Sequence, residues 1–270
     1  MWGALIGDGV GSVYEFNNEA CQKDFDLDNP AFHFTDDSVM TLAVMDILYQ
    51  GIAFDKEKAV DCFRKWGRRY PDAGYGRSFF RWIMSDDYFI NDSYGNGAAM
   101  RISPVGWFAN SQKDVKILSD AITGLSHHHP EGLKGAEVTA MLIYLARKKK
   151  SKADLFSYAK SKYVLFKNYE DLRASNKGHG LEICQVSVPQ AISAFFLTDS
   201  FADCLRAIVY AGGDADTTAA IACSIAEAYY GGSDSKLIQL AAAGFKNDPE
   251  AMFLLHDQKA RLLFHDAKLG

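Results

Sequence analysis

Residues 211–232 read "AGGDADTTAAIACSIAEAYYGG" and predict a helix that begins with acidic side chains. Asp214 and Asp216 are separated by one small residue, so both carboxylates point the same way if the backbone is extended there. Thr217 adds a hydroxyl group, and the apolar and small residues that follow it recur at helical spacing. The alanines would allow this helix to pack closely against a neighbour. The stretch therefore predicts a tightly packed helix with two carboxylates at its start.

A similar combination of acidic and hydroxyl residues occurs at residues 35–38, which read "TDDS" directly before an apolar helical stretch. Taken alone, Asp36 and Asp37 with their flanking hydroxyl residues are typical of a capped helix N-terminus. If the two acidic starts face each other, their carboxylates and hydroxyl groups form an oxygen-only ligand set for Mg²⁺, Mn²⁺ or Ca²⁺. Neither stretch contains Cys or His, which disfavours zinc. Two unrelated caps on distant helices would give the same pattern, so the sequence leaves both interpretations open.

Helical periodicity dominates the rest of the chain, and strict alternation of apolar and polar residues is nearly absent. The periodic segments are residues 39–48, 56–70, 113–125, 135–147, 153–162, 189–197, 201–210, 217–230 and 235–243. Ser151 precedes Asp154, and Ser200 precedes Asp203, at the spacing of a capping box. No linker rich in Ser, Gly or Pro divides the chain. We therefore predict an all-α fold and one domain over residues 1–270.

The composition disfavours several classes of protein. The chain has 270 residues, of which 48% are hydrophobic, which suffices for a sizeable core and argues against disorder. The formal charge of -5 and the lack of a broad basic excess disfavour a nucleic-acid-binding surface. Five cysteines without C-x-x-C spacing indicate a reducing compartment, so we predict a cytoplasmic protein. The N-terminal stretch does not resemble a signal peptide, and no apolar run is long enough to predict a membrane span.

Three further stretches contain residue types that often contact ligands, although each has a structural alternative. Residues 93–101 read "SYGNGAAMR"; this loop either brings backbone N–H groups close to a phosphate or ribose or forms an ordinary Asn-Gly turn. Residues 126–132 read "SHHHPEG", in which the histidines bind a ligand, cap a helix or shape a turn. Residues 3–16 read "GALIGDGVGSVYEF", whose glycines indicate close helix packing or a backbone held against a ligand. On its own, Glu15 is typical of a solvated charge.

Five stretches, in this order along the chain, resemble the motifs of the ADP-ribosylglycohydrolase family: "GDGVGSVYEF", "FTDDS", "YGNGAAMR", "SHHHPEG" and "GGDADTTAA". The family includes the dinitrogenase-reductase-activating glycohydrolases and the ADP-ribosylarginine hydrolases. The resemblance extends from Gly3 to about Gly232. The chain departs from the family pattern at Ser38, where Thr is commoner, and at Cys223 and Glu227, where small residues are usual. Within a closely packed helix, Glu227 needs a partner or solvent.

The resemblance implies a compact all-α bundle of orthogonal helices with a cleft that holds two divalent cations, Mg²⁺ or Mn²⁺. The metal ligands carried over by motif are Thr35, Asp36, Asp37, Asp214, Asp216 and Thr217. The residues implied to bind the substrate are Glu15 on a loop over the distal ribose, Asn96, Gly97, Ala98 and Met100 around the phosphate and ribose, and His127 or His129. Asp36, Asp37 or Glu15 would act as the catalytic acid or base, and Asp92 is a weaker candidate.

The resemblance also implies metal-dependent hydrolysis of the glycosidic bond between ADP-ribose and an acceptor. Because "SHHHPEG" is close to the arginine-specific branch of the family, the expected substrate is ADP-ribosylarginine on a protein. Two other functions stay open, a non-catalytic binder of ADP-ribose or a nucleotide and a two-metal phosphohydrolase. No membrane partner is expected, and nucleic acid is expected only as a modified substrate. The sequence does not indicate an oligomeric state.

Overall fold

Helices make up the regular secondary structure of the computed structural model, which describes residues 1–17, 24–27, 29, 31–87, 89–177, 179–231 and 234–256. The helices are α1 (Trp2–Gly11), α2 (Asp36–Gln50), α3 (Lys56–Arg69), α4 (Arg77–Met84), α5 (Gly97–Met100), α6 (Ser103–Phe108), α7 (Gln112–Thr123), α8 (Pro130–Arg147), α9 (Lys152–Lys162), α10 (Tyr169–Ser175), α11 (Cys184–Phe196), α12 (Phe201–Ala211), α13 (Ala215–Tyr230) and α14 (Ser235–Ala243). Residues 249–256 are helical as well. Within the described ranges, extended pairing is limited to isolated bridges between Asp92 and His127 and between Gly95 and Ile183. The all-α prediction is confirmed.

Each segment with helical periodicity corresponds to a helix. α14 has the predicted bounds, and α2, α3, α7, α9, α12 and α13 lie close to theirs. α8 and α11 begin earlier than the periodicity predicts, and α11 continues through Pro189 without ending. The side chains of Ser151 and Ser200 accept hydrogen bonds from the backbone N–H groups of Asp154 and Asp203, as the capping pattern predicts. The periodicity therefore identified the longer helices correctly.

Several shorter helices were not predicted from periodicity. Residues 166–180 show no helical periodicity in the sequence, but α10 occupies residues 169–175. The Asn168 side chain accepts a hydrogen bond of 2.9 Å from the N–H of Asp171 and caps this helix. α10 has seven residues, and Leu172 is the one that is buried. A single buried residue does not produce an apolar period in the sequence. α1 escaped prediction because its glycines lower the intrinsic helix propensity.

Some predictions concern residues that the structure does not describe or properties that it does not test. Cys21, Gly232 and residues 257–270 lie outside the described residues. One domain over residues 1–270 therefore stays a prediction. The four described cysteines are buried and free, and a cytoplasmic location also stays a prediction. Among the described helices, none combines the length and the hydropathy that crossing a bilayer requires.

A row of glycines brings α1 into backbone contact with α13. The contacting pairs run antiparallel: Gly3 with Cys223, Gly7 with Ala219, and Gly11 with Ala215. A Cβ atom built at Gly7 would lie 2.3 Å from the carbonyl oxygen of Ala219, well inside van der Waals contact. The glycines on α1 therefore allow close helix packing, and the small residues of α13 meet them as the sequence predicts.

α13 is a central helix whose burial extends from Ala215 to Ala228. It packs against α1, α8, α11 and α12. Towards its C-terminal end, the Glu227 carboxylate accepts hydrogen bonds from the backbone N–H groups of Trp2 at 3.1 Å and Gly3 at 2.9 Å. These N–H groups lie in the first turn of α1, where a carboxylate is favoured by the helix dipole. The partner that Glu227 requires within a closely packed helix is therefore the N-terminal turn of α1.

Candidate functional site

The two acidic helix starts predicted from the sequence meet in the structure. α2 begins at Asp36 and α13 begins at Ala215, directly after Asp214. The hydroxyl group of Thr217 donates a hydrogen bond of 3.2 Å to Oδ2 of Asp37, across a sequence separation of 180 residues. The interpretation as unrelated caps on distant helices is therefore wrong. The start of α13 also packs closely against α1, because Gly11 of α1 contacts Ala215.

Asp8 is a further buried acid in this cluster. Its carboxylate accepts hydrogen bonds from the backbone N–H groups of Thr35 at 2.9 Å and Ser38 at 3.0 Å, so Asp8 caps α2 from another helix. It also accepts hydrogen bonds from both hydroxyl groups, with Thr35 Oγ1 at 2.7 Å. The Thr35 side chain itself does not cap α2. One carboxylate oxygen each from Asp8, Asp37 and Asp216 lie within 4.8 Å of one another.

A second group of carboxylates shares Asp216 with the first. Oxygens of Glu15, Asp214 and Asp216 lie within 4.8 Å of one another. Asn96 donates from Nδ2 to Asp214 Oδ2 at 2.6 Å, which fixes the orientation of that carboxylate. Asp36 lines the same cavity but belongs to neither group. The structure thus brings Glu15 to the acidic cluster and leaves Asp36 at its side.

Burial and mutual repulsion make the ionised form of these carboxyl groups unfavourable. Desolvation, followed by the negative charge of Asp216, raises the pKa of Asp36, Asp37 and Asp214 well above the usual range. The same two causes raise the pKa of Asp8 to about 6, although hydrogen bonds from Ser38 and Thr35 oppose the shift. The pKa of Glu15 is raised to about 7 by partial desolvation, then by Asp216, Glu182 and Asp8.

The donor set of this cluster fits a hard divalent cation. Asp37 Oδ1 is buried and has no hydrogen-bond partner among the described residues. In the described ranges, none of the clustered carboxylates forms a salt bridge with Lys or Arg. Buried carboxylates without a cation are costly, and oxygen-only ligand sets suit Mg²⁺, Mn²⁺ or Ca²⁺. The residues that would hold such ions are Asp8, Thr35, Asp36, Asp37, Asp214, Asp216 and Thr217, and Glu15 lies beside them.

The acidic cluster lies beside a cavity of about 270 Å³. The cavity is lined by acids, by the Gly-rich loop and by the start of α4: Glu15, Thr35, Asp36, Gly74, Gly76, Arg77, Ser78, Phe79, Ser93, Gly95, Asn96, Gly97, Met100, Arg101, His127, Glu182, Asp214, Asp216 and Thr217. A cavity of this kind, with polar groups converging at one end, is typical of a ligand site.

The Gly-rich loop forms one wall of this cavity. Asn96, Gly97 and Met100 line the cavity, whereas Ala98 is fully buried behind them. The backbone N–H of Asn96 donates a hydrogen bond of 2.9 Å to the carbonyl oxygen of Glu182, which ties the loop to the segment before α11. The loop is therefore more than an isolated Asn-Gly turn, because α5 begins at Gly97 beside the cavity.

The two candidate histidines have different surroundings. His127 is buried and lines the cavity. Its Nδ1 lies 3.2 Å from Nη2 of Arg101 and 3.0 Å from the hydroxyl oxygen of Ser126. His129 does not line this cavity; its Nδ1 accepts a hydrogen bond of 3.2 Å from the N–H of Glu131 and caps α8. Of the two histidines, the structure favours His127 as the one that contacts a ligand.

Three parts of the site were not among the sequence candidates. Asp8 lies in the N-terminal stretch, and its contact with Asp37 and Asp216 depends on the packing of α1 and α13. Arg101 is the last residue of the "YGNGAAMR" stretch and is completely buried, which the sequence did not indicate. Residues 74–79 form part of the wall and contain no motif that the sequence analysis singled out.

The comparisons with known proteins agree with the motif resemblance. The profile of the family described as "ADP-ribosylglycohydrolase" matches residues 1–237. Similar curated proteins include the human "ADP-ribosylhydrolase ARH3", 26% identical with 85% of this chain and 84% of that protein covered. The "ADP-ribosyl-[dinitrogen reductase] glycohydrolase" of Rhodospirillum rubrum is 26% identical, with 74% of this chain and 70% of that protein covered. A solved structure described as an "ADP-ribosylglycohydrolase-related protein complex" has the same fold, with a TM-score of 0.66 and 22% identity over 97% of this chain and 92% of that one.

Proposed function

Because the chain belongs to the ADP-ribosylglycohydrolase family, we propose that it hydrolyses the bond between ADP-ribose and the arginine side chain of a protein. The observation that carries the proposal is the pair of acidic groups that share Asp216 at one end of the cavity. Two groups with one shared carboxylate suit two divalent ions, for which we propose Mg²⁺ or Mn²⁺. The family membership identifies the chain as a glycohydrolase enzyme, and the carboxylates that line the cavity agree with this.

The chemistry of the site follows from the charge that develops on the sugar. Divalent ions, when bound, would supply positive charge for the ribose hydroxyl groups and lower the pKa of water. Cleavage of a glycosidic bond builds positive charge at the anomeric carbon, which nearby carboxylates stabilise. Asp36 and Glu15 line the cavity and are placed to act in this way. Partial desolvation and the negative charge of Asp216 raise the pKa of Glu15 to about 7 in the absence of cations, and a cation bound beside Asp216 would lower it.

The remaining residues of the cavity bind and orient the substrate. Asn96 keeps Asp214 in place through its amide group, and Gly97 opens α5 where a phosphate oxygen would meet backbone N–H groups. His127 supplies a ring nitrogen to the same wall. These residues hold the diphosphate and ribose, while the acidic end of the cavity receives the bond that is cleaved.

The charge at the acidic end supports a cationic acceptor. Glu182 lines the cavity and contributes to the raised pKa of Glu15, so the two carboxyl groups lie near each other. A guanidinium group would be attracted to this negative region and would offer several hydrogen-bond donors to it. This supports arginine as the acceptor over a neutral hydroxyl group.

The proposal is tested by incubating peptides that carry ADP-ribose on arginine or on serine with the protein. Release of free ADP-ribose from the arginine peptide with Mg²⁺ or Mn²⁺, and its loss with EDTA, is the expected result. The double variant Asp36→Asn with Asp214→Asn should lose this activity, whereas Asp61→Asn with Asp87→Asn, at exposed positions, should keep it. Faster release of ADP-ribose from the serine peptide would contradict arginine as the acceptor. Full activity in EDTA would contradict a metal-dependent site. Cleavage of the diphosphate would indicate a phosphohydrolase instead.

A further inference from the structure

Arg101 is a fully buried cation beside the cavity, and no carboxylate of the described residues forms a salt bridge with it. Its guanidinium carbon lies 4.7 Å from the ring centre of Phe63 and 5.0 Å from that of Phe79. Nε and Nη1 have no hydrogen-bond partner among the described residues. Burial lowers the pKa of Arg101 to about 9, which leaves the guanidinium charged at neutral pH. Burying a charge without a salt bridge is costly, which indicates that Arg101 serves a function at this position.

The hydrogen bonds that Arg101 does make are directed at one ring nitrogen of His127. Nη2 of Arg101 lies 2.6 Å from the Ser126 hydroxyl oxygen and 3.2 Å from Nδ1 of His127. A guanidinium group donates hydrogen bonds and accepts none, so Nδ1 must be the acceptor. The Ser126 hydroxyl group accepts from Arg101 and is free to donate its own proton to the same Nδ1, 3.0 Å away. An imidazole whose Nδ1 accepts is neutral and carries its proton on Nε2.

The other ring nitrogen of His127 faces the Gly-rich loop. A Cβ atom built at Gly97 would lie 3.0 Å from Nε2, and one built at Gly95 would lie 3.7 Å from it. Both glycines line the cavity, as does His127. The Nε2–H group is therefore at the part of the wall where small residues leave room for a ligand oxygen. Burial and the neighbouring guanidinium lower the pKa of His127 well below its usual range, in agreement with a neutral ring.

We propose that Arg101 is a positioning residue: it holds His127 as the tautomer protonated on Nε2, and Nε2–H donates to a phosphate oxygen of ADP-ribose at the Gly95–Gly97 turn. The ligand in this proposal rests on the proposed function. The tautomer itself does not, because the contacts that fix it lie within the protein. Arg101 acts through His127, so its effect should appear in substrate binding more than in the chemical step.

The tautomer is measured by NMR of the full chain labelled with ¹⁵N-histidine, at neutral pH and without ligand. In the wild type, the His127 signals should show an unprotonated Nδ1 and a protonated Nε2. In Arg101→Met, a population protonated on Nδ1 should appear, because Ser126 Oγ is then free to accept. Arg64→Met, at another buried arginine, should leave the His127 signals unchanged. A protonated Nδ1 in the wild type, or identical signals in Arg101→Met, would overturn the proposal.

The consequence for binding is measured with ADP-ribose as the ligand and with steady-state kinetics. Arg101→Met should raise the Kd for ADP-ribose and the KM roughly tenfold, as expected for one lost hydrogen bond to a charged group, and change kcat little. In a His127→Gln background, Arg101→Met should have no further effect on KM, because the residue through which it acts is gone. Arg101→Lys keeps the positive charge but changes the geometry of the hydrogen-bond donors. If this variant binds ADP-ribose as tightly as the wild type while His127 is no longer protonated on Nε2, the proposal is overturned.

Two further controls keep the outcomes distinct. His128→Gln, at an exposed neighbouring histidine, should leave the Kd unchanged. If Arg101→Met does not fold, the wild-type spectrum and Ser126→Ala decide, since Arg101 still donates to Nδ1 in Ser126→Ala and the tautomer should persist. If the wild type releases no ADP-ribose, the proposed function fails while the tautomer remains measurable. If it turns over but Nδ1 is protonated, only the inference about Arg101 fails.

Discussion

Asp216 is the residue on which both acidic groups depend. Its carboxylate lies within 4.8 Å of Asp8 and Asp37 in one group and of Glu15 and Asp214 in the other. In all four of these neighbours the negative charge of Asp216 is the next cause of the raised pKa after burial. A cation placed beside Asp216 would therefore relieve repulsion in both groups at once. Asp216 would therefore be the carboxylate shared by both groups if each of them held a cation.

Glu15 has two possible roles at this site, and a substitution separates them. We expect Glu15→Gln to lower kcat by about 10²- to 10⁴-fold while Mg²⁺ or Mn²⁺ affinity is kept, because loss of a general acid or base removes proton transfer. Calorimetric titration with Mn²⁺ and a turnover assay measure the two quantities. Glu57→Gln, an exposed acid in the first turn of α3, is the matched control and should change neither. Loss of Mn²⁺ affinity in Glu15→Gln would identify Glu15 as a metal ligand through its contact with Asp214 and Asp216.

At the scale of single residues, the sequence predicted which residue types form the site, but it did not predict all of the contacts among them. The acids of "TDDS" and "GGDADT" were identified from residue type and spacing, and the structure brings them together. The assignment of the α2 cap was wrong in detail, because the capping carboxylate is Asp8 and not a residue of "TDDS". His129 was a substrate candidate but caps α8. The Asp8 cap arises from the packing of α1, which local sequence does not encode, whereas the His129 cap is a local contact and was one of the alternatives that the sequence left open.

The contact between α1 and α13 decides whether the acids meet. Asp8 on α1 and Asp216 on α13 are adjacent only because glycines let the two backbones approach. We expect Gly7→Ala to destabilise the protein by about 1–3 kcal/mol, because its Cβ would overlap the Ala219 carbonyl oxygen and force the helices apart. Urea unfolding measures this change, and Mn²⁺ affinity should fall with it as Asp8 and Asp216 separate.

Gly9→Ala is the matched control for this prediction, since it lies on the same helix and its Cβ would meet nothing within 4 Å. Alanine has the higher helix propensity, so this variant should be unchanged or gain up to about 1 kcal/mol. Equal stability of Gly7→Ala and Gly9→Ala would show that the backbone contact does not hold the helices together.

Among the elements that the sequence missed in whole or in part, α1, α10 and α11 share a dependence on packing. α10 buries one residue, and α1 carries four glycines, so neither shows a strong apolar period. α11 continues through Pro189, although a proline removes one backbone hydrogen bond of the helix. Burial of most of α11 compensates for this loss. Local propensity thus predicts long amphipathic helices, whereas these three depend on packing against their neighbours.

For the whole molecule, the acidic cluster is a group of buried carboxyl groups that repel one another when they are ionised. Its carboxyl groups have folded-state pKa values above those of the unfolded chain. The folded protein without metal therefore binds more protons than the unfolded chain from about pH 4 upwards, until the folded-state pKa values are passed. Stability must then fall as the pH rises through this range, since ionisation is easier in the unfolded chain.

We expect the thermal stability of the protein in EDTA to decrease from pH 5 towards pH 8. Each carboxyl group that is protonated only in the folded state lowers the free energy of unfolding by about 1.4 kcal/mol per pH unit. Excess Mg²⁺ or Mn²⁺ should reverse the trend, because the ions bind the ionised carboxylates of the folded state, and a concentration of about 100 times Kd adds about 2.7 kcal/mol. In Asp36→Asn with Asp214→Asn, both the pH dependence and the stabilisation by metal should be smaller. A wild-type protein equally stable at both pH values in EDTA, and unaffected by either ion, would contradict the assignment of this cluster as a cation site.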